Sequence, residues 1–264
     1  MSSYDMPATQ YIHWPDSFYQ TTDMRNQYDA DIRQIVEVFN RYLGNKYPKS
    51  NYHDLDWRLV KAMIWIESGH KHSAWRYRPM QIGNHGDAGL IALLHLKKIR
   101  LKNGNFRIQS EGAELVIPPE YVSNLTIKNK EKIRYNPQLN IQAGVAYLLM
   151  RHAKIGYKTV ADNDAKEHIV TIKVGDSLNK IAVTHQTTVG IIKQLNPGIN
   201  KCNLHMGVKL RYKKATVKKT IKGWVPMTFS SVARKYNAKG DYRYRQKLRY
   251  AFQNIESSWF KVVY

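Results

Sequence analysis

Acid is scarce in this chain. Twenty Asp and Glu stand against 42 Lys and Arg over 264 residues, a formal charge of +22. A field of that sign draws in polyanions: nucleic acid, an anionic membrane or an acidic cell envelope. Cysteine is scarcer still. Cys202 is the only one, which excludes an intrachain disulfide and a Cys-rich zinc site. The ten histidines are scattered, no His-Glu-x-x-His occurs, and Glu67, His70 and His72 lack the helical spacing of a zincin. No metal and no cofactor is therefore expected. No apolar run approaches the ~20 residues that cross a bilayer. The opening Met1-Ser2-Ser3-Tyr4-Asp5-Met6-Pro7 has neither a basic start nor an apolar stretch, so a Sec-type signal peptide is not expected.

Aromatic residues, by contrast, are plentiful: 18 Tyr and 6 Trp within a hydrophobic share of 43%. That composition belongs to a folded chain, and the length suits one large domain or two small ones. The charge is uneven. Basic against acidic residues number six to eight over 1–60, seventeen to nine over 61–167, six to one over 168–212 and thirteen to two over 213–264. The basic run Lys213-Lys214, Lys218-Lys219 and Lys222 reads as a solvated linker.

Hydrophobic spacing sets the expected elements. Residues 1–23 hold no sustained period and read as an N-terminal arm. Ile32, Ile35, Val36, Phe39, Tyr42 and Leu43 predict a helix over 24–44 that stops at Gly44, and Asp56 is placed to cap a second helix over 57–67. Gly69, Pro79, Gly83, Gly86 and Gly89 predict an irregular loop. A short helix over 90–99, a small hairpin or extended insertion over 100–127 and a helix over 138–152 follow. At 168 the texture changes. Strand-like Ile169 to Val174, a turn at Gly175-Asp176-Ser177, two short helices, a stop at Asn196-Pro197-Gly198 and a last strand ending at Tyr212 make a β-α-α-β unit over 168–212. Helical stretches over 228–237 and 242–256 complete the chain.

The small unit resembles a LysM domain. Val174-Gly175-Asp176-Ser177-Leu178, Ile181-Ala182, Thr187-Thr188-Val189, Leu195-Asn196-Pro197 and Gly207-Val208-Lys209-Leu210 match that family in order. The resemblance implies binding of N-acetylglucosamine-containing glycans such as peptidoglycan or chitin. The glycan would lie against the turns that carry Gly175, Asp176, Ser177, Asn196 and Pro197. Asp176 and Asn196 also read as plain caps and turn formers, and both roles can coexist.

The rest of the chain offers one conspicuous carboxyl. Ile64-Trp65-Ile66-Glu67-Ser68-Gly69 puts Glu67 at the end of an apolar helix, where desolvation opposes ionisation and raises the pKa. A glycosidase general acid needs that setting. This stretch, with Arg78-Pro79-Met80-Gln81-Ile82 and the segment Asn136-Pro137-Gln138-Leu139-Asn140-Ile141-Gln142-Ala143-Gly144-Val145-Ala146-Tyr147-Leu148, resembles the goose-type lysozyme and soluble lytic transglycosylase superfamily. Arg78-Pro79 departs from the family's Gly-Leu. The family's late Tyr-Asn-Ala element is absent from 149–167 and stands instead at Tyr236-Asn237-Ala238-Lys239-Gly240-Asp241, followed by Tyr244 and Lys247-Leu248. The expected architecture is thus α+β: a mainly helical, lysozyme-like catalytic domain over 24–160 and 220–264, interrupted by the LysM module.

The resemblance implies a peptidoglycan lytic transglycosylase. Glu67 would be acid and then base at the β-1,4 bond between N-acetylmuramic acid and N-acetylglucosamine, with Tyr147 turned towards its carboxyl. Ser68, Met80, Gln81, Tyr236 and Asn237 would position Glu67 and sugar. Other carboxyls, Asp87, Glu111, Glu114 and Glu120, lack a compelling context. Asp87 reads as the cap of the helix at 90. A hydrolysing muramidase, as in phage endolysins, and a non-catalytic peptidoglycan anchor are the alternatives. A nucleic-acid reader rests on charge alone, with no recognition motif beside it. The expected route is cytoplasmic synthesis followed by action in the periplasm or wall of a target bacterium. Two deliveries fit that route, a phage endolysin released through a holin and a type VI secretion effector, the second with a secretion apparatus and a cognate immunity protein as partners.

Overall fold

A computed structural model describes residues 26–69, 73–94, 98–100, 106–108, 111–162, 166–199, 204–237 and 240–260. The expected arm over 1–23 lies outside them. Helices and small two-stranded sheets alternate, a mixed α+β architecture. The chain divides into two units, one of Met1–Lys154 with Gly223–Tyr264 and one of Ile155–Lys222.

In the larger unit, α1 (Asp29–Lys46) buries Ile32, Ile35, Val36, Phe39 and Leu43 along one face. It runs past Gly44, which meets nothing within 4 Å, so the glycine does not stop the helix. Helix α2 (Trp57–Glu67) begins where the Asp56 carboxylate accepts the Arg58 N–H at 2.9 Å, a cap worth about 1 kcal/mol. Leu59 to Trp65 are buried without a break, so α2 is enclosed on every side. Its buried cation, Lys61, donates to Asp29 and Asn26 at 2.8 Å each, which offsets the cost of desolvating the ammonium.

Helix α3 (Ala88–Leu93) ends before the predicted limit of 99, because a hairpin of β1 (Lys98–Arg100) and β2 (Phe106–Ile108) takes over, with Lys98 opposite Ile108. The stretch over 100–127, expected to hold a small hairpin or an extended insertion, thus opens on that hairpin and is then helical in part, with α4 (Ala113–Val116) and α5 (Pro119–Val122), and α6 (Lys130–Tyr135) follows beyond it. Tertiary burial of Val116, Tyr121 and Ile133 overrides the turn residues around them. Helix α7 (Pro137–His152) is capped by Asn136, which accepts the Leu139 N–H at 2.9 Å, and carries Pro137 in its first turn. It is buried along most of its length.

Strand β3 (Ala153–Ala161) follows α7 directly. In the smaller unit, β4 (His168–Thr171) leads into α8 (Leu178–Thr184) and α9 (Val189–Leu195), and β5 (Lys209–Tyr212) returns antiparallel to β4, His168 opposite Tyr212 and Thr171 opposite Lys209. Ile172, Leu178, Ile181, Ala182, Ile192 and Leu210 form the core of this unit. Strand β6 (Ala215–Trp224) pairs with β3. The basic stretch read as a solvated linker is therefore a strand. Its β-branched Thr216, Val217, Thr220 and Ile221 favour the extended form, and its partner strand lies some sixty residues upstream, beyond the reach of local pattern. Back in the larger unit, α10 (Phe229–Val232) opens on a capping box between Thr228 and Ser231. A π-helical turn, Ala233–Asn237, follows, and α11 (Tyr244–Phe260) packs along α2.

Candidate functional site

Glu67 closes α2 and is half-buried. Its Oε1 accepts a hydrogen bond from the Tyr244 hydroxyl at 2.8 Å. Tyr244 is the first residue of α11, so the packing of α11 on α2 brings the phenol to the acid. Burial pushes the Glu67 carboxyl up to about 7. The Tyr244 hydrogen bond opposes that rise, and the charges of Asp87 and Asp241 reinforce it. A carboxyl near 7 is part protonated at neutral pH and can both give and take a proton. Since Oε1 is held by Tyr244, Oε2 is the oxygen left to carry the mobile proton.

The loop after α2 is fastened from three sides. Ser68 is buried and its hydroxyl lies 3.0 Å from the carbonyls of both Ile64 and Pro79. It ties the helix end to the loop and does not touch the Glu67 carboxyl. Asn140, wholly buried on α7, accepts the Met80 N–H at 2.9 Å and donates to the carbonyls of Ile82 at 2.8 Å and Ile133 at 3.0 Å. Met80 itself is buried against Gly144, where an added Cβ would sit 2.6 Å from the methionine side chain. No larger residue fits there without displacing the loop. Gln81 takes φ +53°, a left-handed conformation unusual for a residue with a side chain. Its amide donates to the Arg78 carbonyl at 3.1 Å and its Oε1 accepts from Asn84 at 3.3 Å.

The remaining aromatic residues meet at the same place. Tyr236, in the π-helical turn, donates to the Met80 carbonyl at 2.9 Å, and its ring meets that of Tyr147 edge-on with centroids 5.5 Å apart. Burial and then the Glu67 charge hold the Tyr236 and Tyr244 hydroxyls well above the usual phenol range, so both remain donors. The phenol on Glu67 is that of Tyr244. Tyr147, expected there, packs on Tyr236 and against Gly89, and its hydroxyl has no hydrogen-bond partner among the described residues. Asn237 donates to the Asp241 carbonyl at 3.0 Å, and Asp241 forms an ion pair with the buried Lys247 while accepting the Arg243 N–H at 2.8 Å. Asn237, Asp241 and Lys247 thus brace the start of α11 and hold Tyr244 in register. Asp87 caps α3, accepting the N–H groups of Gly89 and Gly83. Both carboxylates that raise the Glu67 pKa are committed to the fold.

Sequence reasoning gave no role to Tyr244, Asn140, Asp241 or Lys247. The signal for Asn140 was an amide at the start of a largely apolar helix, four residues before the glycine that admits Met80. A groove of about 500 Å³ lined by Arg33, Asn40, Leu55 and Trp57 opens at the other end of α2, about 16 Å along the helix, and belongs to no part of this cluster. Among the described residues no group of His, Cys, Asp and Glu could hold a metal ion, and no helix is long and apolar enough to cross a membrane.

In the smaller unit the turns are built as their residues dictate. Gly175 and Gly198 take φ of +76° and +86°, which suits glycine alone. Asp176 accepts the Lys173 N–H at 2.9 Å, a bond that draws its carboxyl below the usual range. Ser177 caps α8 through the Lys180 N–H at 3.1 Å. Asn196 donates to the carbonyls of Ile192 and Arg211 at 2.7 Å each and accepts the Arg211 N–H at 2.9 Å. Both amide hydrogens of Asn196 are spent on the fold, which leaves the backbone of the Asn196-Pro197-Gly198 turn as the donor surface there.

The LysM domain family matches residues 170–212. This part of the chain is a LysM domain, a module that implies peptidoglycan binding. The chain as a whole matches no curated protein and no solved structure.

Proposed function

We propose that the larger unit is a peptidoglycan lytic transglycosylase that the LysM domain holds on its substrate. One observation carries this reading: a half-buried carboxyl at the end of α2, its pKa raised to about 7, with one oxygen gripped by a buried phenol. Oε2 of Glu67 protonates the glycosidic oxygen as the bond from muramic C1 breaks. The sugar's acetamido group supports the cation. The C6 hydroxyl then closes on C1 and returns its proton to Glu67, leaving a 1,6-anhydro end with no water added. Tyr244 stabilises the carboxylate that exists between the two transfers. A hydrolysing enzyme needs a second carboxylate for water or for a covalent intermediate. The commitment of Asp87 and Asp241 to backbone N–H groups and to Lys247 supports the single-acid route.

Its place of action on this reading is the periplasm or wall of a target bacterium, reached by a secretion apparatus and countered in the producer by an immunity protein. Mass spectrometry of muropeptides released from purified sacculi tests the chemistry. Anhydro ends are expected. Reducing muramic ends would make the enzyme a hydrolase, and retention without soluble products would leave a non-catalytic anchor.

A further inference from the structure

Between Asp176 and Asp241 the chain contains thirteen Lys and Arg and not one acidic residue. Part of that excess stands on the ribbon of β3 and β6, which within Ile155–Lys222 is fixed to the LysM helices. The Ala215 N–H donates to the Gln186 carbonyl at 3.0 Å, and the Thr188 and Thr159 hydroxyls lie 3.3 Å apart. Lys158, Lys218 and Lys222 are exposed on this ribbon and have no ion-pair partner among the described residues. The described acids of the same unit are placed elsewhere: Glu167 pairs with Arg211, Asp176 with Lys180, and Asp162 lies beside Lys214 at the far end of the ribbon. Gly156 is the contact that orients one of the three lysines. A Cβ there would sit 2.6 Å from Lys222 Cγ, so the lysine stem crosses the glycine and carries its ammonium over the ribbon surface.

Three unpaired ammonium groups on the unit that grips a glycan call for an anionic feature of the same polymer. Peptidoglycan supplies one: its stem peptides carry free carboxylates along the strand, whereas chitin, built from N-acetylglucosamine alone, carries none. We infer that Lys158, Lys218 and Lys222 form a second contact surface of the LysM unit, which binds stem-peptide carboxylates and selects peptidoglycan over neutral glycans. The inference rests on peptidoglycan binding by the LysM domain and is independent of the role of Glu67.

The test measures retention of the full chain, in a Glu67→Gln background that spares the matrix, on native sacculi, on sacculi whose carboxyls have been amidated with carbodiimide and ethanolamine, on chitin and on DNA-cellulose. The triple variant K158Q/K218Q/K222Q is expected to bind native sacculi about fivefold more weakly at low salt, from three exposed charge contacts of ordinary strength. On amidated sacculi and chitin it should match the parent, and K158R/K218R/K222R should restore binding. The pair K218Q/K222Q gives an intermediate loss should the triple variant fold poorly. Equal binding of variant and parent to native sacculi, or an equal loss on amidated sacculi, would overturn the inference. A larger loss on DNA-cellulose than on sacculi would assign the lysines to nucleic acid and overturn it too. Failure of the parent to bind both sacculi and chitin would instead remove the LysM reading beneath it.

Discussion

The two units differ in how far their parts travel along the chain. The LysM module closes on itself within a short stretch: its core runs from Ile172 to Leu210, its caps reach three residues ahead, the clamp from Asn196 to Arg211 spans 15, and its widest strand pairing, His168 opposite Tyr212, spans 44. The site around Glu67 is assembled from remote segments. Tyr244 lies 177 residues from the acid it touches, and Tyr236 lies 156 from the Met80 carbonyl it fixes. Local chemistry specifies the first. The second exists only once α2, α7 and α11 have packed. Substitutions should therefore damage the two units separately, and each of the following sharpens or breaks that separation.

The largest effect is expected from Glu67→Gln. Release of soluble muropeptides should fall by about a thousandfold, the scale of a lost general acid, while retention on sacculi is unchanged. Loss of both would show that the units are not separable. Next comes Lys247→Met, which leaves the half-buried Asp241 carboxylate without the Lys247 ammonium. The transition of the larger unit should weaken by about 3 kcal/mol in calorimetry, with that of the LysM unit in place. Asn196→Ala removes three hydrogen bonds and should destabilise the LysM unit by about 2 kcal/mol. Sacculus retention then falls while the NMR titration of Glu67 stays where it was.

Titration gives a smaller effect with a definite sign. The folded Glu67 pKa is raised from 4.5 to about 7, so between those values the folded chain holds a proton that the unfolded chain has released. Stability is fullest below about 4.5 and declines as pH rises towards 7. Glu67→Gln removes that decline. With the carboxyl partly exposed, the variant should gain about 2 kcal/mol at pH 8 relative to pH 4, measured against wild type. The smallest shift belongs to Tyr244→Phe. It takes away the hydrogen bond that favours the carboxylate, so the Glu67 titration and the alkaline limb of activity should both move to higher pH. A move to lower pH would contradict the geometry.

Legibility followed the same division. Over 168–212 the helices, caps and turns were readable because each depends on neighbours within a few residues, Gly175 for its left-handed turn, Ser177 and Thr188 for their caps, and strands β4 and β5 were readable from the β-branched and apolar residues they carry. Glu67 was readable from the apolar helix it ends, and Met80, Tyr147 and Tyr236 from the motifs that hold them. The identity of its phenolic partner was not: the motif pointed to Tyr147, and Tyr244 meets the acid only once α11 is laid along α2. Lys213 to Lys222 looked like a linker because a strand is defined by its partner, and β3 lies some sixty residues upstream. Asn140 was missed for a related reason: its value lies in three backbone groups, at Met80, Ile82 and Ile133, that no local pattern connects to it.

The order of segments also governs when the acid matures. Glu67 emerges from the ribosome 177 residues ahead of Tyr244, which at 5–20 residues per second is a lag of roughly 10–35 s. Until α11 arrives, the carboxyl lacks the Tyr244 hydroxyl and the share of its burial that α11 supplies. The wall-gripping module is complete before then, so the nascent chain acquires its hold on glycan first and its tuned acid last.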